Sequence, residues 1–194
     1  MTKGRLEAFS DGVIAILITI MVLELKPPEG SDWAALREVL PHFLSYLLSF
    51  AYLGIYWNNH HHMLHATDRI NGRVLLANLN LLFWLSLISF ATAWMGESHF
   101  APLPTVVYGV VLILSAISYT ILQHTILACQ GPNSRLSQAV GNDVKGKVSV
   151  ALYALAIVTA LWLPWIAHLL YTAVALMWLI PDTRIERRLS AKTE

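Results

Sequence analysis

The sequence predicts an all-α, polytopic membrane protein with six transmembrane helices per subunit. Three observations predict it. Of the 194 residues, 56% are apolar and only 13% are charged, against roughly 25% charged in soluble domains. The charges cluster between long uncharged runs. Basic residues then concentrate in alternate segments between those runs, as the positive-inside rule requires of a chain crossing a bilayer an even number of times.

A helix crossing the hydrocarbon needs about 20 residues, with roughly 17–25 tolerated. The first span covers about residues 6–25 and stops at "KPPEG". It has a long apolar core and no small-residue cleavage motif, so it reads as a retained span rather than a signal peptide. The second runs from about 37 to 62, through "VLPHFLSYLLSFAYLGIYW". The third is about 73–95 and the fourth, after "APLP", about 104–129. The polar segment "QGPNSRLSQAVGNDVKGK" follows. The last apolar block, about 147–181, is too long for one helix. Pro164 in "WLPWIAH" breaks it into two short spans.

With six spans and a cytoplasmic N-terminus, the inner segments hold Lys3, Arg5, Arg69, Arg73, Arg135, Lys145, Lys147, Arg184, Arg187, Arg188 and Lys192. Those are eleven of the thirteen basic residues, and only Lys26 and Arg37 fall outside. Both termini are therefore expected in the cytoplasm. No internal repeat is visible, and no loop is long enough for a soluble domain. Residues 1–194 read as a single membrane domain. The net charge of +1 gives no sign of nucleic-acid binding. The single cysteine, Cys129, excludes an internal disulfide and a multi-cysteine metal site.

Polar residues inside spans are costly and often functional. Asp11 opens the first span, where an acid also complements the helix dipole. Arg5 lies six residues earlier, placed to snorkel to the interface. The second cluster is "YWNNHHHMLH". His61 and His65 share a helix face, and His62 and His65 nearly do, a spacing compatible with a metal. The remaining histidines (His42, His99, His124, His168) stand alone, so a polar network is the simpler reading. The third group is Asn78 and Asn80, whose amides need partners on neighbouring helices. Topology puts all three groups at one depth, which favours a connected network.

Each residue of a helix turns about 100°. On the first span, Phe9, Gly12, Ile16, Thr19, Ile20 and Leu23 then form a narrow stripe. Asp11 and Ile16, five residues apart, lie roughly 140° from one another. If Asp11 faces its own bundle, the stripe faces either lipid or a symmetry axis between subunits.

The R-x-x-x-F-S-D start of "RLEAFSDGVIAILITIMVLEL" resembles the first helix of the transmembrane protein 175 family of potassium channels. The likeness continues through "IYWNNHHHMLH" and "NLNLLFWLSLISF", and its six-span plan covers essentially the whole chain. Animal members carry two six-helix repeats. This chain has one, like the prokaryotic members, which assemble as homotetramers. The resemblance implies a potassium-permeable cation channel in a prokaryotic cell (inner) membrane, without cofactor, passing potassium and other monovalent cations. No "TVGYG"-like filter occurs, in agreement. It also implies a pore lined by the first helix of each subunit. The constriction falls at Ile16, five after the motif aspartate, Thr19 contributes to selectivity, and Ile20 and Leu23 form further rings. Arg5, Phe9, Ser10 and Asp11 belong to the motif, whose polar residues join a network. By position, His61 and Asn80 are the expected partners and Trp57 lies nearby. An apolar ring gates by excluding water, so modest potassium-over-sodium selectivity is expected. Two other readings remain: a membrane-embedded metal enzyme using the histidine cluster, and a secondary cation transporter.

Overall fold

A computed structural model describes residues 2–131 and 143–179. Among them it contains six α-helices: α1 (Lys3–Met21), α2 (Trp33–His65), α3 (Gly72–Glu97), α4 (Pro102–Gln130), α5 (Val144–Ala160) and α6 (Pro164–Leu179). A 3-10 turn, Val22–Glu24, continues α1. The expected inner charges Arg135, Arg184, Arg187, Arg188 and Lys192 lie outside the described residues.

Among the described residues, four helical stretches are long and apolar enough to cross a membrane: Lys3–Glu24, Trp33–His65, Gly72–Glu97 and Pro102–Gln130. Helix α6 is a shorter apolar helix, and α5 has 17 residues. The two are separated where the sequence breaks: α5 ends at Ala160 and Pro164 opens α6, a first-turn position that needs no proline N–H.

Local chemistry sets the other boundaries. Helix α2 starts where the Asp32 carboxylate accepts the Ala35 N–H at 2.9 Å. Asn71 accepts from Val74 N at 3.0 Å at the start of α3, and Asp143 from Gly146 N at 2.8 Å at the start of α5. Each supplies an acceptor to an end that otherwise leaves four N–H groups free. With 33 residues, α2 is roughly 50 Å long. It continues beyond both ends of the expected span 37–62, and Pro41 lies inside it.

Helix α1 packs on α2 and α3, while α4 bridges α3 to the α5–α6 hairpin. Hydroxyl chains tie these halves. Thr92 Oγ1 donates to Ile88 O at 2.6 Å, which uses its only proton. Its oxygen therefore accepts from Ser49 Oγ at 2.6 Å, and Ser49 accepts from Tyr108 OH at 2.9 Å. The Tyr52 hydroxyl donates to Tyr171 O at 2.6 Å, joining α2 to α6.

Gly109 lets the hairpin pack directly against the α4 backbone. A Cβ there would collide with the Tyr171 hydroxyl and stand 2.8 Å from Ile157 Cγ1. Gly109→Ala is expected to destabilise the bundle by about 1–3 kcal/mol, seen as a lower midpoint of thermal unfolding in detergent. Gly54→Ala, where nothing lies within 4 Å, is the matched control and should not lower it.

Candidate pore helix and its polar anchor

Helix α1 presents two chemically different faces. Leu6, Ser10, Ile14 and Met21 are buried against α2 and α3. Phe9, Gly12, Ile16, Thr19 and Ile20 are exposed, with Ile16 at 56%. Leu23 lies in the 3-10 turn rather than in α1 and is 75% exposed. The stripe read from the sequence thus points away from the chain's own bundle.

Thr19 adds an acceptor to that apolar face. Its hydroxyl donates to Ala15 O at 3.1 Å or Ile16 O at 3.0 Å. The proton is turned back to the helix, and the oxygen lone pairs remain exposed.

The buried face carries a hydrogen-bond chain through three helices. Asn78 Nδ2 donates to Ser10 Oγ at 2.9 Å. That orients the amide, so Asn78 Oδ1 accepts from His60 Nε2 at 2.7 Å. The imidazole is therefore protonated on Nε2. Its Nδ1 is buried and has no partner among the described residues. Ser10 and Asn78 are both fully buried, at 0% exposure. Such bonds between membrane helices are worth about 0.6–2 kcal/mol each. Leaving one end unpaired costs more, because the buried group keeps its desolvation penalty.

The partners expected by position were His61 and Asn80. Within the chain, Ser10 instead meets Asn78, which meets His60. His60 lies between the buried Tyr56 and Leu64, each four residues away, and Asn78 lies four from buried Val74 and Leu82. Both therefore sit on the apolar inner stripes of their helices. His61 is exposed and stacks between Trp57 and His65, with centroids 6.1 and 6.2 Å away. Asn80 is also exposed at the residue level and donates to Ser118 Oγ of α4 at 2.7 Å. A one-residue step on a helix turns a side chain by about 100°, enough to separate these pairs.

Asp11 stands at the edge between α1 and α2. Its Oδ1 accepts from Trp57 Nε1 at 3.1 Å. Arg5 and Phe9 are exposed, and Arg5 has no hydrogen-bond or ion-pair partner among the described residues. Lys3 reaches across to His65 O at 3.1 Å and lies 3.8 Å from Glu7. No group of three or more His, Cys, Asp and Glu side chains is gathered for a metal among the described residues.

A polytopic, all-helical membrane protein whose helices, α1 among them, turn apolar residues outward defines the class. Comparison with known proteins then gives its family. Residues 5–88 match the family model described as "Endosomal/lysosomal potassium channel TMEM175". A potassium channel of Chryseobacterium sp. (strain P1-3) is 58% identical over 189 residues, covering 97% of this chain and 98% of that protein. The human endosomal/lysosomal proton channel TMEM175 is 38% identical over 96 residues, 43% of this chain and 19% of that protein. The crystal structure of a lysosomal potassium-selective channel TMEM175 homolog from Chamaesiphon minutus superposes with a TM-score of 0.81 at 26% identity. It covers 92% of this chain and 96% of that one. The chain belongs to the TMEM175 family. Membership in a family of channels, rather than any missing site, removes the membrane-enzyme reading.

Proposed function

We propose that this protein is a potassium-permeable channel of four identical subunits, in which α1 of each subunit lines the pore. One observation carries the reading. The α1 stripe is apolar and exposed although α1 is anchored on its other face by Ser10, Asn78 and His60. A helix pinned by a buried polar bond keeps one orientation, so the outward face is a defined surface. Four copies around an axis bring Ile16, Thr19, Ile20 and Leu23 into successive rings.

Ile16 forms the constriction. An ion there sheds water and gains no ligand, so a closed apolar ring is a barrier that opens by widening. Thr19 offers hydroxyl oxygens one turn further on. Weakly hydrated cations pass most easily, and potassium is favoured over sodium only modestly. Both termini are cytoplasmic, and residues 1–194 act as one membrane domain of a prokaryotic cell membrane. The permeant ion is the sole ligand, and no cofactor takes part. Arg5, Asp11, Trp57 and His61 frame the inner pore mouth, outside the buried chain.

The test is passive flux. Purified protein in liposomes should carry potassium down its gradient with no coupled ion, which also separates a channel from a secondary transporter. A verified tetramer that carries no potassium would end the proposal.

A further inference from the structure

The end of α2 carries a pair of histidines outside the buried hydrogen-bond chain. His61 and His65 lie four residues apart, His65 closing the helix, so their side chains share one face. Both are exposed. Their rings are nearly parallel, 20° apart, with centroids separated by 6.2 Å. His62 lies three residues from His65, but its ring meets His61 edge-on, at 69° and 5.7 Å. No ring contact joins His62 to His65 among the described residues. The fold therefore selects His61 and His65 from the cluster.

Neither ring of the pair is engaged through a nitrogen. No hydrogen bond reaches either imidazole among the described residues, and the stack of Trp57 on His61, at 6.1 Å, occupies a ring face. Other histidines are used differently: His60 gives Nε2 to Asn78, and His168 gives Nδ1 to the Pro164 carbonyl.

A neutral imidazole nitrogen is the commonest ligand of late first-row divalent metals. Such an ion bonds a ring nitrogen at about 2.0–2.1 Å and so stands roughly 3 Å from that ring's centroid. Two rings on one ion are then about 6 Å apart or less. The observed separation lies at that limit, and a small rotation of either side chain closes the chelate. Histidines at i and i+4 are also the spacing of helical zinc sites. No third His, Cys, Asp or Glu is gathered beside the pair among the described residues. Water then completes the coordination, and the ion stays exchangeable. Lys3 reaches the His65 carbonyl at 3.1 Å, and Glu7, 3.8 Å from that lysine, offsets its charge. The same contact ties the start of α1 to the turn that carries the pair.

We propose that His61 and His65 form a two-histidine site for a late first-row divalent metal ion (zinc, nickel or copper). The bound charge slows potassium entry at the inner mouth, as a blocking ion and not a cofactor. The blocking role rests on the channel reading above; the site does not. Titration of the purified, tag-free protein in detergent with nickel chloride tests the site, at mildly alkaline pH so that the imidazoles are neutral. Copper(II) should bind more tightly than nickel, and magnesium, which prefers oxygen ligands, should not bind. His61→Ala and His65→Ala should each weaken nickel by about tenfold or more, at least the cost of losing a partner that orients a ligand. His62→Ala should leave the affinity unchanged. His65→Ala, at the exposed end of α2, keeps the test open if His61→Ala fails to fold. In liposomes, nickel should slow potassium flux through the native protein and lose that effect in His65→Ala. Nickel affinity unchanged in both pair variants, or lost equally in His62→Ala, overturns the site. Nickel held by the pair without slower flux overturns the blocking role. A protein that carries no potassium at all ends the channel reading instead, and the titration still decides the site.

Discussion

Ile16→Asn should raise potassium flux through the reconstituted channel by about tenfold and weaken its preference over sodium. The native ring strips water from an ion and gives nothing back. An asparagine is smaller than isoleucine, so the ring widens somewhat, and its amide oxygen holds water and meets the cation. A tenfold rise corresponds to roughly 1.4 kcal/mol off the barrier, the scale of one good hydrogen bond. Sodium, more strongly hydrated, gains more than potassium, and selectivity falls. Liposome flux with potassium and sodium in parallel measures both. Unchanged flux and selectivity would take Ile16 out of the constriction. Ile14→Asn is a different experiment, because Ile14 is buried against the bundle, and it should lower the yield of folded protein.

Asn78→Leu carries the second large effect. The substitution keeps the branched shape and the number of side-chain heavy atoms, with bulkier methyl groups in place of the amide oxygen and nitrogen. It removes the acceptor for His60 Nε2 and the donor to Ser10 Oγ. His60, whose Nδ1 already lacks a partner among the described residues, would then have none at either nitrogen. Each buried group left unpaired costs about 1–3 kcal/mol. For a chain of this size, that lowers the unfolding midpoint by roughly 5–10 °C. Asn80→Leu should cost less, because Asn80 is exposed and bonds only Ser118. If Asn80→Leu proved the more damaging, the anchor would run through that residue and not through Asn78. Because the same bond fixes the orientation of α1, Asn78→Leu should also alter flux in whatever protein still folds.

Much of the architecture was legible in the run lengths and in Pro164, because bilayer thickness dictates helix length. The outward stripe of α1 followed from helical rotation alone. The inward partners did not, although a signal for them was present. In "NNHHH" the histidine flanked at four residues by Tyr56 and Leu64 is the one to bury. Its neighbour His61 is flanked by Trp57 and His65. The same logic separates Asn78, between Val74 and Leu82, from Asn80. Counting from the motif alone gave a position a residue or two away, and on a helix that is a different face.

The central claim is that the exposed face of α1 lines the ion path. Cysteine accessibility tests it most directly, on a Cys129→Ser background, with single cysteines at Ile16, Thr19, Leu23 and, as control, Phe90. Phe90 is exposed on α3 at 60% but lies off the proposed axis. A small cationic thiol reagent should block potassium flux at the three stripe positions and leave the Phe90→Cys protein conducting. Reagent that labels the stripe cysteines without changing flux, or that blocks only at Phe90→Cys, would contradict the account.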